Sequence, residues 1–385
     1  YWHDKFKKKL LYDVFKFSKQ EDKTVKNKQS IKRRKMSFKS HLVQLLTYIK
    51  RSFLLKFRNK TNTFITFAEA PLLAFLIAFI LRLSPGQTDY SYYSNTNISI
   101  YIFISIIIFI FLGLSNSIEE ILGEKRSIVR EKKLNLKMSY LIISKFLSLS
   151  FFSIVQVILF SIVANIILNI RGMFFVNAVY LFLSAMIGFS FGIFISSLIN
   201  DSKSMINIIP IILIPQIIFG GAVIQFEKMN KDLKISRESP IPELVQVIPS
   251  RWLFEGMFTA QAYLNKYDRS LKRLEKNKLT LKRKYKKRLI DKDKYWNEVY
   301  EIYEEKGNVS EKFPVEKYTN RLINLTVNLM DGKFLNTGKN VFLSSYKKIF
   351  GIQWRSYYFN ILVILLYVAI LHFITIVRIR YFYKE

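Results

Sequence analysis

From Ile98 to Ser117 the chain runs for 20 residues without one charged side chain, and that stretch removes most folds from consideration. As a helix it is about 30 Å long, the thickness of a bilayer's hydrocarbon core, where only helices and closed barrels satisfy their backbone polar groups. Comparable apolar stretches lie at about 64–81, 146–168, 174–199, 205–226 and 357–377, with the charges gathered between them. A chain that is 50% hydrophobic yet carries 60 Lys and Arg against 28 acids is thus two segregated populations of residues, the membrane-protein pattern. The reading is an all-α membrane protein of six transmembrane helices.

The distribution of bases sets its orientation. Residues 1–63 hold 19 Lys or Arg and four acids, and a surplus flanking the first span marks a cytoplasmic end rather than a nucleic-acid surface. Residues 1–36 read as a basic cytoplasmic linker. In 37–60, Phe38, Leu42, Leu45, Ile49, Phe53 and Phe57 recur at steps of three and four among Lys50, Arg51, Lys56 and Arg58, which predicts an amphipathic helix at the lipid interface. The loop 84–97 is rich in Tyr and has no Lys or Arg, so it lies outside. The island 118–140 carries six bases in a short loop and lies inside, as does the tail RIRYFYKE. The predicted organisation is transmembrane helices one to five over 61–226, a helical extracytoplasmic domain over 227–355, and span six with a cytoplasmic tail over 356–385. Within that domain Leu264, Tyr267, Leu271 and Leu274 fit a heptad, predicting a helical hairpin or short coiled coil. The resulting protein is multi-pass in the cell membrane, plasma or inner, with both termini cytoplasmic.

Three features inside the spans stand out. Glu69 is the only charge of the first, as a buried ion pair or an interfacial carboxylate. The fifth contains Pro210 and Pro215, each deleting a helix hydrogen bond, with Gly220 and Gly221 at its outer end; it is predicted bent or broken, a hinge beside a translocation path. Gly188 and Gly192 form a GxxxG pair suited to close helix packing, within the subunit or between two copies.

Catalytic chemistry is not visible. There is no Cys, so no disulfide framework or thiolate metal site, and no GxxxxGK[ST] phosphate loop. His3, His41 and His372 are scattered without a HExxH pattern. The chain opens on Tyr1 without a signal peptide, which predicts a fragment of a longer protein. The island mixes acids with bases, and pairs such as Glu120 with Glu124 or Arg126 with Arg130 put like charges on one helical face that asks for a partner.

The run Glu124-Lys125-Arg126-Ser127-Ile128-Val129-Arg130-Glu131, followed by Tyr140 and Lys145, resembles the loop after the second span of ABC-2 type permeases. It is most similar to that of the ABCG, or White, subfamily of ABC transporters, with Lys125 a small departure from the spacing. The resemblance covers most of 37–380, although 227–355 is longer and more charged than such proteins lead one to expect. It implies a permease whose ATP-binding cassette, absent from this chain, precedes it in the same polypeptide and holds ATP and Mg. It also implies a homodimer in the lipid bilayer, with Glu124, Arg126, Arg130 and Glu131 as the island's ionic contacts to the cassette. On this reading the chain is the membrane part of an exporter for an amphipathic or lipid-like substrate and itself catalyses nothing. The alternatives are an anchor presenting 227–355 to a partner and a secondary transporter, the latter disfavoured because only Glu69 and His372 titrate well inside spans.

Overall fold

The computed structural model describes residues 38–82, 97–133, 136–168, 173–199, 201–224, 241–265, 280–310, 346–349 and 352–382, with a few isolated positions between them. It divides into two compact units, Tyr1–Leu45 and Leu46–Glu385. The linker 1–36, apart from Asp4, the Tyr-rich loop, the heptad positions beyond Leu264 and residues 311–341 lie outside the described residues.

Helix α1 (Phe38–Arg58) ends where Asn59 caps the next helix, its Oδ1 accepting from Asn62 N at 3.2 Å. An Asn at this position satisfies a free helix N–H and licenses a new helix to start. Helices α2 (Lys60–Leu81), α3 (Asn97–Ser117), the island helix α4 (Lys125–Lys133), α5 (Met138–Leu168) and α6 (Phe174–Leu198) follow. Then come the shorter α7 (Ser202–Ile218), α8 (Pro249–Leu264), α9 (Lys292–Ser310) and the long α10 (Ser356–Phe382). A two-stranded antiparallel hairpin, β1 (Tyr346–Ile349) with β2 (Ile352–Arg355), pairs Lys347 with Trp354 and leads into α10.

Among the described residues five segments are long and apolar enough to cross a membrane: Lys60–Leu81, Asn97–Glu131, Met138–Leu168, Phe174–Leu198 and Ser356–Tyr381. The fifth predicted span, 205–226, is realised only as α7, an apolar helix of 17 residues. That helix is continuous through Pro210 and Pro215, and it stops at the glycine pair, where Gly221 adopts φ +86°. A proline removes one donor without necessarily breaking a helix, whereas a left-handed residue must end it.

The core is built on the seam between α3 and α6. A Cβ on Gly113 would sit 2.9 Å from Phe189 N, and one on Gly188 would sit 2.9 Å from Leu114 N. A Cβ on Gly192 would strike Ser117 Oγ. These backbones touch because their glycines have nothing to hold them apart, so the GxxxG pair is used inside the subunit. Phe109 and Phe160 meet edge to face at 5.1 Å, and α5 ties back to α2 through Gln156 Nε2 donating to Thr66 O at 2.7 Å.

Segment 249–264, which the sequence reading places in a water-facing domain, is packed into the bundle. Leu253, Met257 and Ala260 are fully buried, and α8 lies against α3, α6 and α10. It carries charge with it. Arg251, Glu255 and Lys347 are all 0% exposed. Glu255 accepts from Lys347 Nζ at 2.6 Å, from Leu343 N at 2.9 Å and, more loosely, from Arg251 at 3.5 Å. The Trp252 ring lies 4.2 Å from the Arg251 guanidinium and 4.4 Å from Lys347 Nζ. Two cations against one carboxylate leave burial to prevail, so Arg251 and Lys347 are both pulled below their usual ranges. The hairpin is thereby clamped to α8 through Lys347, by its ion pair with Glu255 and its place over the Trp252 ring.

Candidate functional site

The island does not lie free. After Ser117 the chain makes a turn over 118–121 and a short 3-10 segment, Leu122–Glu124, before α4 begins. Ser196 of α6 pins that turn, its Oγ accepting from Ile121 N at 3.0 Å and Leu122 N at 3.2 Å. Ile121 and Ile128 are fully buried, which seats one face of the island on the bundle.

That seated face is acidic, and it meets bases from elsewhere. Arg51 on α1 reaches both Glu124 and Glu131, and Tyr48 donates to Glu131 at 3.0 Å. Lys145, on the first part of α5, bridges Glu124 and Glu120, the latter at 2.8 Å. Lys56 pairs with Glu120. Three bases and three acids from α1, the island and α5 form one closed set without net charge. Burial alone would lower the Arg51 pKa, but Glu124 and Glu131 outweigh it and hold the guanidinium above its ordinary value. Around the ions, Ser52 and Ser144 hydroxyls lie 3.3 Å apart, and Phe53 meets Phe151 edge to face at 5.3 Å. Phe53 of the predicted interfacial stripe therefore packs on protein, while Leu46 and Leu54 remain exposed.

The four island residues singled out by sequence are thus divided. Glu124 and Glu131 turn inward to Arg51 and Lys145. Arg126 and Arg130 are exposed and make no ion pair among the described residues. Sequence reasoning missed Arg51, Lys56 and Tyr48 as partners, reading the two bases as headgroup contacts. A partial signal was present: on an unbroken α-helix residues 120, 124 and 131 would share one stripe and 126 and 130 another, although in the structure Glu120 lies in the turn and Glu124 in the 3-10 segment before α4. The residues proposed as a hinge do not join this site, since Pro210 is exposed on α7 and Gly220 is buried against Phe103.

No cluster of His, Cys, Asp or Glu fit for a metal ion occurs among the described residues. The arrangement is mechanical: it ties α1, α3 and α5 to one short helix whose outer face is basic. Residues 43–261, more than half of the sequence, match the family model of the ABC-2 type transporter. The chain belongs to the ABC-2 type transporter family. It is a multi-pass membrane protein and the permease part of an ABC transporter. Such permease domains work with ATP-binding cassette partners and membrane lipids. None of the curated proteins compared with this ABC-2 chain matches it.

Proposed function

We propose that this chain forms the translocation path of an ATP-driven exporter of the ABCG type, and that α4 is the element through which a cassette drives it. The observation that carries the reading is the division of charge on the island. Its acids are consumed by Arg51 and Lys56 of α1 and Lys145 of α5, so the island is fastened to two other helices besides α3, from which it continues, and cannot move alone. Its bases Arg126 and Arg130 are exposed and have no ion pair among the described residues, where an acidic surface on a cassette would engage them. A push on that face moves α1, α3 and α5 together. ATP and Mg belong to the cassette, whether fused ahead of this chain or separate.

The path itself we assign to α7 with α3. Ile206, Ile211 and Ile214 are exposed on α7, as is the polar Asn207. An amide on an exposed face of an apolar helix suits a polar route better than lipid. Two copies facing each other across α7 would enclose such a route, with Pro210, Pro215, Gly220 and Gly221 setting its shape. A route walled by isoleucines with the Asn207 amide among them suits an amphipathic or lipid-like substrate.

The test is the double substitution Arg126→Glu with Arg130→Glu, in the permease reconstituted with its cassette. ATP hydrolysis should no longer respond to reconstitution into membrane and, where the cassette is a separate chain, it should no longer co-purify with the permease. Unchanged co-purification and coupled hydrolysis would remove α4 from the mechanism. Reading the gene upstream of Tyr1 for a GxxxxGK[ST] loop separates a fused cassette from a separate one.

A further inference from the structure

At the island end of the bundle a cavity of about 690 Å³ opens between the α1–α2 junction, the end of α3 with its turn, α5 and the start of α7. That volume is in the range of small-molecule sites. Part of its lining is the ionic set already described: Lys56, Lys145, Glu120 and Glu124. Their charges are spoken for, because each lysine bridges to Glu120 and Lys145 also holds Glu124, whose second oxygen faces Arg51.

Two more carboxylates line the same cavity. Glu119 is exposed in the turn, and Glu69 is half-buried on α2, the third turn of a membrane-length helix. Neither has an ion pair among the described residues, and no base in the lining remains to serve them. The lining thus carries four acids and two bases, an excess of two negative charges in a recess. The same lining includes the apolar Leu149, Phe152, Ile206 and Ile209. A carboxylate at the depth of Glu69 is costly without a counter-charge. An anionic ligand would meet an excess of like charge, and a neutral one would leave Glu69 as unmatched as before.

We propose that this cavity binds an amphiphile bearing an ammonium or similar organic cation, with the cation at Glu69 and Glu119 and the apolar part along Phe152, Ile206 and Ile209. Its use as a loading site for export rests on the permease reading; the binding does not. The same chemistry has two sources, an aminophospholipid of the bilayer or a soluble cationic amphiphile.

The full chain, purified in dodecyl maltoside, is titrated calorimetrically with decyltrimethylammonium and, in parallel, with decanoate. Binding of the cation and none of the anion is expected. Glu69→Gln should weaken the cation by about tenfold or more, equivalent to about 1.4 kcal/mol. Glu119→Gln, in an exposed turn where folding is not at stake, should weaken it in the same direction, and Glu301→Gln on α9 should not. Native mass spectrometry then separates the sources. Phosphatidylethanolamine retained by the native chain and lost from Glu69→Gln identifies the bilayer lipid, whereas calorimetric binding with no retained lipid identifies a soluble ligand. Equal binding by decanoate, or unchanged binding in both carboxylate variants, overturns the proposal and leaves the cavity holding water only. Neither ATP nor a cassette takes part, so this failure is distinct from failure of the export mechanism.

Discussion

Replacing Gly188 by Ala adds one methyl group at the point where α3 and α6 touch. The new carbon would lie 2.9 Å from Leu114 N, 3.0 Å from Ile110 C and nearer still to Ile110 O. Those atoms are backbone and cannot rotate away, so restoring carbon contacts of about 3.5–4 Å requires the helices to part by roughly 0.5–1 Å. Overpacking of this kind costs about 1–3 kcal/mol. Against it stands the intrinsic gain of Ala over Gly in a helix, about 1 kcal/mol. Gly123, in the short 3-10 segment, provides a control without steric conflict, since a Cβ there meets nothing within 4 Å. Gly188→Ala should be less stable than Gly123→Ala by about 1–3 kcal/mol. Thermal unfolding of both in the same detergent, at one scan rate, reads this as a lower melting temperature by a few degrees. Gly113→Ala opens the same seam from the other helix, so the double variant should cost less than the sum of the two. If Gly188→Ala melts with or above Gly123→Ala, close backbone contact is not what holds α3 to α6.

Arg51→Ala should destabilise more than Glu131→Gln, because it leaves the buried Glu131 without a base and Glu124 with Lys145 alone, whereas Glu131→Gln leaves Arg51 still paired with Glu124; a double-mutant cycle by thermal unfolding should give a coupling of about 1–2 kcal/mol, held below the buried-pair range by the partial exposure of Arg51. Glu255→Gln leaves Lys347 and Arg251 facing each other without a carboxylate and should cost about 3–5 kcal/mol. Lys347→Met, which spares the Arg251–Glu255 pair, should cost clearly less in the same denaturation assay. The double change Arg126→Glu with Arg130→Glu touches only exposed side chains, so its melting temperature should match the native chain to within about 0.5 kcal/mol of stability even where coupling is lost.

Much of this architecture was legible because hydrocarbon imposes so few solutions. Runs such as 98–117 and 174–199 give helices whose ends fall within a residue or two of the apolar boundary. What could not be read was the destination of polar groups. Glu255 and Arg251 occur in a segment whose flanks are densely charged, so hydropathy assigns the whole of 227–355 to water; only Lys347, about 90 positions later, makes their burial tolerable. Likewise Arg51 looks like a headgroup contact until Glu124 and Glu131 are folded against it. In both places the counter-charge is distant in sequence, and periodicity reports only neighbours three and four apart. The island's acidic stripe was readable from its spacing, but two like charges on one face say that a partner is needed, not whether it is internal. The prolines of α7 do not break the helix, which runs through both and ends at Ile218, just before Gly220 and Gly221.

The 3-10 segment Leu122–Glu124 and α4 together carry two populations of charge that will answer ionic strength differently. Glu124 and Glu131 sit in a closed, mostly buried set, where added salt has little access. Arg126 and Arg130 stand in water, where the screening length shrinks from about 8 Å at physiological salt to about 3 Å at 1 M. Concentrated salt should therefore loosen any partner held by charge on the outer face of this helix while leaving the helix's grip on α1 and α5 intact, which separates the two populations without unfolding the bundle.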